Sequence, residues 1–362
     1  MMDVKSKSAG CKARILSEIV LGVWHENDRF PSERELCERH QVSRSTIRQA
    51  VEELIQEGLL VRRGKVGAFV APNAVRQAAE LGRGKNCTMP AAWIMNPGEI
   101  ANPLLQTVFN TCSDYLEPGI RLSIRFGLMY EMPERLEQYA AAVVCCQLPP
   151  EQLRRLRQGI RNVIILNVRN PDGNYLMPDN FGGGRLMAEH ALQNGHERAC
   201  CLANLTGGAD SDFGQRYQGI KSVYDEHGLE LETALMDQHY YMEPAANTHY
   251  ALETMLRRRR NLSMVLCSWD LLAFGVMESL TLRNLKVPED ISLIGFDDQC
   301  YARAVEPGLT TVKYPSEAIG IKLAEYLNAV ERGGTPQLQE TVRPLLIERG
   351  SVRNLNLNKE NH

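Results

Sequence analysis

The sequence has no run of about 18 uncharged apolar residues, and its N-terminus has no apolar segment of signal-peptide length. We therefore expect a cytoplasmic protein without a membrane partner. Its ten cysteines are scattered and show no C-x-x-C spacing, so the sequence indicates neither a zinc site nor a disulfide framework. Four of them (Cys145, Cys146, Cys200 and Cys201) lie in apolar runs, where we expect buried, unreactive thiols.

Motifs of enzymatic chemistry are also missing. The sequence contains no nucleophile elbow, no P-loop, no H-E-x-x-H and no lysine in a pyridoxal context. We predict that the protein is not an enzyme and has no catalytic residue, metal or cofactor.

Charge is distributed unevenly along the 362 residues. Residues 1–85 carry 15 lysines and arginines against 11 acidic residues, whereas the remainder carries 26 against 33. A basic head on an acidic body is typical of a nucleic-acid-binding module joined to another domain. The length and the 44% apolar composition predict two or three folded units.

The head begins with signals for three helices. Apolar residues recur every four positions between residues 12 and 24, as in an amphipathic helix. Ser32 followed by Glu35 forms a capping box at the start of a second helix. Ser43 is a suitable N-cap for a third helix over 44–57, which Gly58 can end. The apolar stripe of this helix leaves Arg44, Ser45 and Arg48 off the buried face.

A basic hairpin follows the third helix. The segment LLVRRGKVGAFV predicts strand, glycine-containing turn and strand, with Arg62, Arg63 and Lys65 at the tip. Three helices and a basic hairpin are the order of a winged helix, in which arginines near a helix N-terminus can contact guanine edges and phosphate. The alternative is that these arginines are solvated surface charges.

The head resembles the winged-helix domain of the GntR family of bacterial transcription regulators. The resemblance covers FPSERELCERHQVSRSTIRQAVEELIQEGLLVRRGKVGAFV, with PSERE, VSR-x-T-x-R, L-x-x-E-G-L and a G-x-x-G wing. It implies DNA contacts by Arg34, Arg44, Arg48 and Lys65 or Gly67, with Ser43 and Thr46 as phosphate-binding candidates. Together with Ser45 and Arg63, these residues form the predicted DNA interface.

The body alternates short apolar runs with helical stretches. After a winged helix at 1–71 and a linker at 72–90, we predict helices at 103–116, 133–139, 150–158, 182–193, 217–227, 250–259, 271–284 and 315–330. This α/β pattern predicts two lobes of mostly parallel sheet at 91–350, covered by helices, and a tail at 351–362. Ligands bind beyond the carboxyl ends of such strands, where Asn167, Trp269, Asp270, Asp297 and Asp298 lie.

Residues 91–350 resemble the effector domains of LacI-type and periplasmic sugar-binding-like proteins. The resemblance rests on NGHERACCLANLTGGADSDFGQRYQGI and on VLCSWDLLAFGVMESLTLRNLKVPEDISLIGFDD followed by GLTTVKYP. It implies a two-lobed clamp in which Arg216 and Asp297 bind a small ligand, and chains that join such a body to a GntR head are similar to the arabinose-repressor type of regulator. Two polar positions of the motif are aromatic here, Trp269 and Tyr314, and Tyr240 or Tyr241 is a further candidate wall.

Several of these residues have a structural alternative. Asp270 could be the N-cap of its helix, and Asp298 could serve as a capping or lobe-to-lobe residue. Trp269 could belong to the core, and Arg216 could be a structural ion-pair partner.

The combined interpretation is a ligand-responsive transcription regulator that binds operator DNA. A homodimer on a palindromic operator would give one winged helix sufficient affinity. We predict repression that is relieved by a sugar or sugar derivative, and the alternative is activation or a purine or nucleoside co-repressor.

Overall fold

The computed structural model describes residues 10–12, 14–16, 18–19, 23–40, 42–64, 67–72, 74, 89–126, 136–146, 148–203, 208–235, 244–258 and 261–356. The chain forms two compact units. The first contains Met1–Ile164 and Glu317–Leu338, and the second contains Ile165–Ser316 and Gln339–His362.

The N-terminal part of the first unit is a winged helix. The described residues between 10 and 19 are helical, and they are followed by the helices α1 (Glu33–His40) and α2 (Arg44–Gln56). The strands β1 (Leu60–Arg62) and β2 (Ala68–Val70) pair antiparallel, with Leu60 opposite Val70. One apolar cluster joins these elements, and it includes the fully buried Ile15, Leu36, Ile47 and Leu54. The predicted third helix is confirmed, since its apolar stripe supplies that core.

The rest of the first unit is an α/β layer. Its strands are β3 (Met89–Met95), β4 (Ile120–Phe126), β5 (Ala141–Val144) and β6 (Asn162–Leu166). They lie in the order β6-β5-β3-β4, and β3 is parallel to both β4 and β5. The helices of this layer are α3 (Pro103–Tyr115), α4 (Pro150–Gly159) and the later helix Ser316–Glu331.

The second unit contains a six-stranded sheet. Its strands are β8 (Ala199–Ala203), β9 (Glu232–Leu235), β10 (Met264–Cys267), β11 (Ser292–Asp297), β12 (Thr310–Lys313) and β14 (Leu345–Ile347). The order is β14-β12-β11-β10-β8-β9, in which only β14 pairs antiparallel. The remaining strands, β7 (Asn174–Pro178) and β13 (Gln339–Val342), pair parallel to each other.

The described part of the second unit also contains four helices. They are α5 (Asn180–Gln193), α6 (Asp212–Glu226), α7 (Pro244–Arg258) and α8 (Asp270–Thr281). The later helix of the first unit, Ser316–Glu331, is α9. Leu202, Val265 and Leu293 from the sheet pack with α8 in one buried cluster. The parallel pairing brings the carboxyl ends of β8, β10, β11 and β12 to one edge of the sheet.

Some predicted boundaries are wrong. Strand β3 begins at Met89, inside the predicted linker. Helix α6 begins five residues before the predicted 217, because the Ser211 side chain caps it by accepting from the Gly214 N–H. Helix α7 begins at Pro244 rather than at 250. Only a 3-10 turn at Leu136–Gln138 occupies the described part of the predicted helix 133–139.

The predicted tail is part of the second unit as far as residue 356. The Ser351 hydroxyl donates to the Leu293 carbonyl at 2.7 Å and accepts from the Thr310 N–H at 2.8 Å. Further along, the Leu355 N–H donates to the Asn194 carbonyl at 2.9 Å. The four cysteines predicted to be buried are buried.

Candidate DNA interface and effector site

Helix α2 is held at its N-terminus by a small hydroxyl cluster. Ser43 is the N-cap, and its Oγ accepts from the Thr46 N–H at 3.3 Å. The same oxygen lies 2.9 Å from Ser45 Oγ and 2.8 Å from Thr46 Oγ1. Thr46 is buried, whereas Ser45 is exposed. The cap fixes where the helix begins, and therefore the positions of Arg44 and Arg48 on its exposed side.

Arg44 and Arg48 share one carboxylate, that of Glu33 at the start of α1. Arg44 Nε donates to Glu33 Oε2 at 3.0 Å. Arg48 donates through Nε to Oε1 at 3.1 Å and through Nη2 to Oε2 at 3.2 Å. These bonds, those of Arg48 first, lower the pKa of Glu33. The carboxylate thus orients both guanidinium groups, which remain largely exposed to solvent.

The wing adds a third oriented arginine. Arg63 Nη2 donates to Asn27 Oδ1 at 3.0 Å, and its guanidinium lies 4.7 Å from the centre of the Phe69 ring. Gly67 has a φ of 119°, which residues other than glycine rarely adopt. No described atom lies within 4 Å of the position that a Cβ would occupy there. The backbone at Gly67 is therefore open to a close approach. Lys65 lies outside the described residues.

Arg34 lies on α1, where its Nε donates to Glu38 Oε1 at 3.2 Å in an exposed pair. The structure thus places Arg34, Ser45, Arg44, Arg48 and Arg63 on exposed positions of the winged helix. Neither Glu33 nor Asn27 is among the residues that the sequence predicts for this interface. An acidic residue in the first turn of a helix is ordinarily explained by the helix dipole, so Glu33 gave no separate signal.

In the second unit, Arg216 is the centre of a buried polar cluster. Its side chain is 4% exposed. Nε donates to Asn180 Oδ1 at 2.9 Å, and Nη1 donates to the Ser268 carbonyl at 2.7 Å. The guanidinium carbon lies 3.7 Å from the centre of the Phe296 ring and 5.3 Å from that of Phe213. The guanidinium is therefore held in one orientation by hydrogen bonds and ring contacts.

Asp297 ends β11 beside Arg216. Its Oδ1 lies 3.4 Å from Arg216 Nη1. Oδ1 is buried, and no described donor meets hydrogen-bond geometry with it. Burial raises the pKa of Asp297 to about 6, against the lowering effect of Arg216. The backbone of Asp297 has a φ of 116°, a costly conformation of the kind that clusters at ligand sites.

A second carboxylate belongs to the cluster. Asn180 Nδ2 donates to Asp212 Oδ1 at 2.9 Å, so that Asn180 connects Asp212 to Arg216. Burial raises the pKa of Asp212, and the nearby Arg216 opposes that effect. Neither Asn180 nor Asp212 was predicted as a site residue. Each lies in the first turn of a helix, where the sequence signal is that of helix capping.

Asp270 is the first residue of α8, and the N-cap of that helix is Trp269, so the capping alternative for Asp270 is wrong. Asp270 is fully buried. Its Oδ1 accepts from the Thr311 hydroxyl at 2.6 Å, and its Oδ2 accepts from the Gln299 N–H at 2.8 Å. Burial, with a smaller effect of Asp297, raises the pKa of Asp270 to about 7. Asp270 thus connects the start of α8 to β12 through Thr311 and to the segment after β11 through Gln299.

The two aromatic residues at normally polar positions are both buried. Trp269 is 5% exposed and lies 4.6 Å from Phe213 between ring centres. It belongs to the apolar cluster under α8, so the core alternative for Trp269 is confirmed. Tyr314 donates its hydroxyl to Asn167 Oδ1 at 2.6 Å, and Asn167 has a positive φ of 61°. Burial strongly raises the pKa of Tyr314.

Asp298 forms an ion pair with Arg349, whose Nη2 lies 2.6 Å from its Oδ1 within the second unit. Tyr240 and Tyr241 lie outside the described residues. Among the described residues, no group of three histidine, cysteine, aspartate or glutamate side chains is placed to hold a metal ion. None of the described helices is long and apolar enough to span a membrane.

Two family models match the chain. Residues 7–70 match the gntR family of bacterial regulatory proteins, and residues 188–352 match the periplasmic binding protein-like domain. A winged helix joined to this α/β body defines a DNA-binding transcriptional regulator.

Curated relatives extend this assignment to the whole chain. The HTH-type transcriptional regulator GalR of Escherichia coli (strain K12) is 31% identical, over 73% of this chain and 80% of GalR. The arabinose metabolism transcriptional repressor of Geobacillus stearothermophilus is 25% identical, over 95% of this chain and 97% of the repressor. The chain belongs to the family of HTH-type transcriptional regulators, with a GntR head and a periplasmic-binding-protein-like body.

Solved structures show the same fold for the body. A LacI family transcriptional regulator from Enterococcus faecium, crystallised with bound ribose, superposes with a TM-score of 0.63 at 20% identity. The match covers 74% of this chain and 99% of that chain. The two-lobed α/β fold class is confirmed, as is the prediction of a DNA-binding regulator rather than an enzyme.

Proposed function

We propose that this regulator represses transcription and leaves its operator when a small sugar or sugar derivative binds in the Arg216 cluster. One observation carries the proposal: at the carboxyl edge of a parallel sheet, Asp297 presents a buried carboxylate oxygen that lies 3.4 Å from the oriented Arg216 guanidinium and accepts no well-formed hydrogen bond from the described residues. A buried acceptor of this kind costs free energy unless a donor fills it, and a sugar hydroxyl is such a donor. Relatives named as sugar-pathway repressors support the same direction.

The DNA contacts follow from the free atoms of the winged helix. Among the described residues Glu33 bonds only Nε of Arg44, so both terminal nitrogens of that arginine can donate to a base edge. Arg48 retains Nη1 for the same purpose. Arg34, Arg63, Lys65, Ser43 and Ser45 are proposed phosphate contacts, with the backbone of Gly67 close to the duplex and Thr46 supporting Ser43.

A dimer completes the proposal. One winged helix makes few base contacts, and two copies on a palindromic operator double them. The effector then acts by binding one conformation of the body better than the other, since a ligand with equal affinity for both shifts nothing. We place the protein in the cytoplasm, where operator and sugar are both present.

Thermal-shift measurements on the full chain test the effector part. A neutral sugar at 100 times its dissociation constant stabilises the native state by about 2.7 kcal/mol. Arg216→Lys should abolish the shift, because lysine cannot reproduce the planar fork that bonds Asn180 and Ser268. Arg185→Lys is the control, since Arg185 pairs with Glu226 outside the cluster. A shift that survives Arg216→Lys would place the effector elsewhere.

A second candidate effector is a purine or nucleoside that acts as a co-repressor. Tyr314, an aromatic residue at a position where the related motif is polar, favours a flat ligand. Nucleosides therefore belong in the same panel. The two proposals predict opposite changes in operator affinity, because a co-repressor strengthens operator binding and an inducer weakens it.

A further inference from the structure

The winged helix contacts the α/β layer of the first unit through its N-terminal helix, which is formed by the described helical residues between 10 and 19. Arg14 Nη2 lies 3.4 Å from Oδ1 of Asp114 on α3, and the two side chains are 11% and 33% exposed. Burial raises the pKa of Asp114, and the nearby Arg14 opposes that effect. A largely buried ion pair therefore joins the DNA-binding part of the chain to its body.

Gly10 lets the two helices approach each other closely. Gly10 is buried and helical, and a Cβ placed there would lie 2.5 Å from Asp114 Oδ1 and 3.5 Å from Asp114 Cα. Glycine destabilises a helix relative to alanine, and here the missing side chain makes room for the Asp114 carboxylate. We call the meeting of Gly10, Arg14 and Asp114 the docking contact.

The docking contact is suited to opening and closing. Arg14 Nε and Asp114 Oδ1 are buried, and no described atom meets hydrogen-bond geometry with either of them. Taking two charges out of water is costly, and an ion pair with incomplete hydrogen bonding recovers little more than that cost. Separation returns both groups to water, so the docked and undocked states differ little in free energy. Loss of one partner alone leaves the other buried and unpaired, which strongly disfavours docking.

The N-terminal helix is firmly attached to the recognition helix α2. Lys12 forms ion pairs with Glu53, at 3.5 Å, and with Glu57 at the end of α2. Ile15 and Ile47 are fully buried in the same apolar cluster. A change in the position of the N-terminal helix therefore also moves α2, which carries the arginines of the DNA interface.

Within the body, α3 is held by α9. A Cβ placed at Gly320 would lie 2.8 Å from the Val108 carbonyl oxygen, so the backbones of the two helices are in close contact. At the end of α3, Asn328 Nδ2 donates to the Tyr115 carbonyl at 3.0 Å. The position of α3 therefore depends on that of α9.

The chain connects α9 directly to the proposed effector site. Helix α9 begins at Ser316, two residues after Tyr314. The Tyr314 N–H donates to the Asp297 carbonyl at 3.3 Å, and the Tyr314 hydroxyl donates to Asn167 at 2.6 Å. A ligand that moves Tyr314 acts on the start of α9.

We propose that α3 is the docking surface of the body for the winged helix, and that the Arg14–Asp114 pair sets operator affinity by fixing the orientation of the winged helix. The docked winged helix keeps Arg44 and Arg48 exposed, so docking orients the DNA interface and does not cover it. Orientation matters when two winged helices of a dimer bind two half-sites, because the second binds at an effective concentration that geometry sets. The effector alters this orientation through α9 and α3. The dimer and the effector are taken from the proposed function.

Hydrogen exchange in the full chain measures docking without any ligand. Asp114→Asn and Arg14→Gln should each make the amides of residues 10–19 and 103–115 exchange about tenfold faster or more. Asp225→Asn is the matched control, because that carboxylate pairs with Lys221 within α6. The double variant should exchange no faster than either single variant. Unchanged exchange, or effects that multiply in the double variant, overturn the inference.

Anisotropy with a selected operator and with a duplex of one half-site measures the effect on DNA binding. Asp114→Asn should weaken binding to the full operator about fivefold or more and leave binding to the half-site unchanged. Gly10→Ala should act in the same direction, because its Cβ displaces the Asp114 carboxylate. If Asp114→Asn does not fold, Arg14→Gln takes its place. Unchanged affinity for the full operator, or an equal loss on both duplexes, overturns the inference.

A sugar titration separates this inference from the proposed function. The sugar that stabilises the wild type should bind Asp114→Asn equally well and change its operator affinity less than that of the wild type. If no sugar binds, the proposed function fails, while hydrogen exchange and the half-site comparison still decide the role of the docking contact. A sugar response of Asp114→Asn as large as that of the wild type overturns the route through α9 and α3.

Discussion

Replacing Glu33 with glutamine tests how the DNA-contacting arginines are held. Glu33 accepts three hydrogen bonds, one from Arg44 and two from Arg48, between 3.0 and 3.2 Å. Glutamine keeps the size of the side chain and removes its charge, and its amide nitrogen faces the same donors. Only one acceptor oxygen then remains for the two guanidinium groups, and it carries no charge.

The structure allows the opposing effects to be compared. Folding stability should change little, because exposed ion pairs contribute about 0.2–1 kcal/mol each. When the variant binds a specific site, immobilising each arginine side chain costs about 0.5–1.5 kcal/mol of binding free energy. For two arginines the cost is about 1–3 kcal/mol, which is roughly 5-fold to 150-fold in affinity. On random DNA, where orientation matters less, removal of a negative charge near the phosphates should strengthen binding by about 1 kcal/mol at low salt.

Fluorescence anisotropy measures both affinities, with a duplex selected in vitro against the full chain and a scrambled duplex, at several salt concentrations. We expect Glu33→Gln to lower the ratio of specific to non-specific affinity. Glu38→Gln is the matched control, because Glu38 pairs with Arg34 on the same helix. Equal gains on both duplexes would show that Glu33 only repels DNA and does not position the arginines.

Three further changes have defined outcomes. Arg48→Ala should weaken operator binding, measured by anisotropy, by about 1–3 kcal/mol and leave effector binding, measured by calorimetry, unchanged. An equal loss of affinity for random DNA would show that Arg48 contacts phosphate and not a base. Ser43→Ala should destabilise the winged helix by about 1 kcal/mol in denaturant titration, and an unchanged transition would refute the capping role. The raised pKa of Asp270, about 7, means that its ionisation opposes folding as pH rises from about 4 to 7. The thermal midpoint of the wild type should therefore fall relative to Asp270→Asn as pH rises from about 4 to 7, and parallel pH profiles would contradict this.

The winged helix was predictable because its signals are local. A capping box at Ser32 and Glu35, an N-cap at Ser43 and a stripe of period 3.6 each act within one or two turns, and the structure contains all three. The alternation of strands and helices in the body was likewise predictable. The short strands β7, β13 and β14 were not, because each is three to five residues long and is defined by a partner distant in sequence.

The effector cluster was predictable only in part. Arg216 and Asp297 stood out through their motifs, and the structure brings them to 3.4 Å. Asn180 and Asp212 did not, since their importance comes from the bond that joins two helix starts 32 residues apart. The sequence left Asp270 as either a ligand-binding residue or an N-cap, because only the tertiary fold shows that Thr311 and Gln299 are its donors.

The most direct test of the account is a titration of the preformed complex between the full chain and its selected operator with the neutral sugar that stabilises the protein. Anisotropy should fall as the sugar saturates the Arg216 cluster, with operator affinity reduced by about tenfold or more, equivalent to a coupling free energy of about 1.4 kcal/mol. Arg216→Lys should bind the same operator and fail to respond. Unchanged operator affinity at saturating sugar would contradict the claim that this site controls DNA binding.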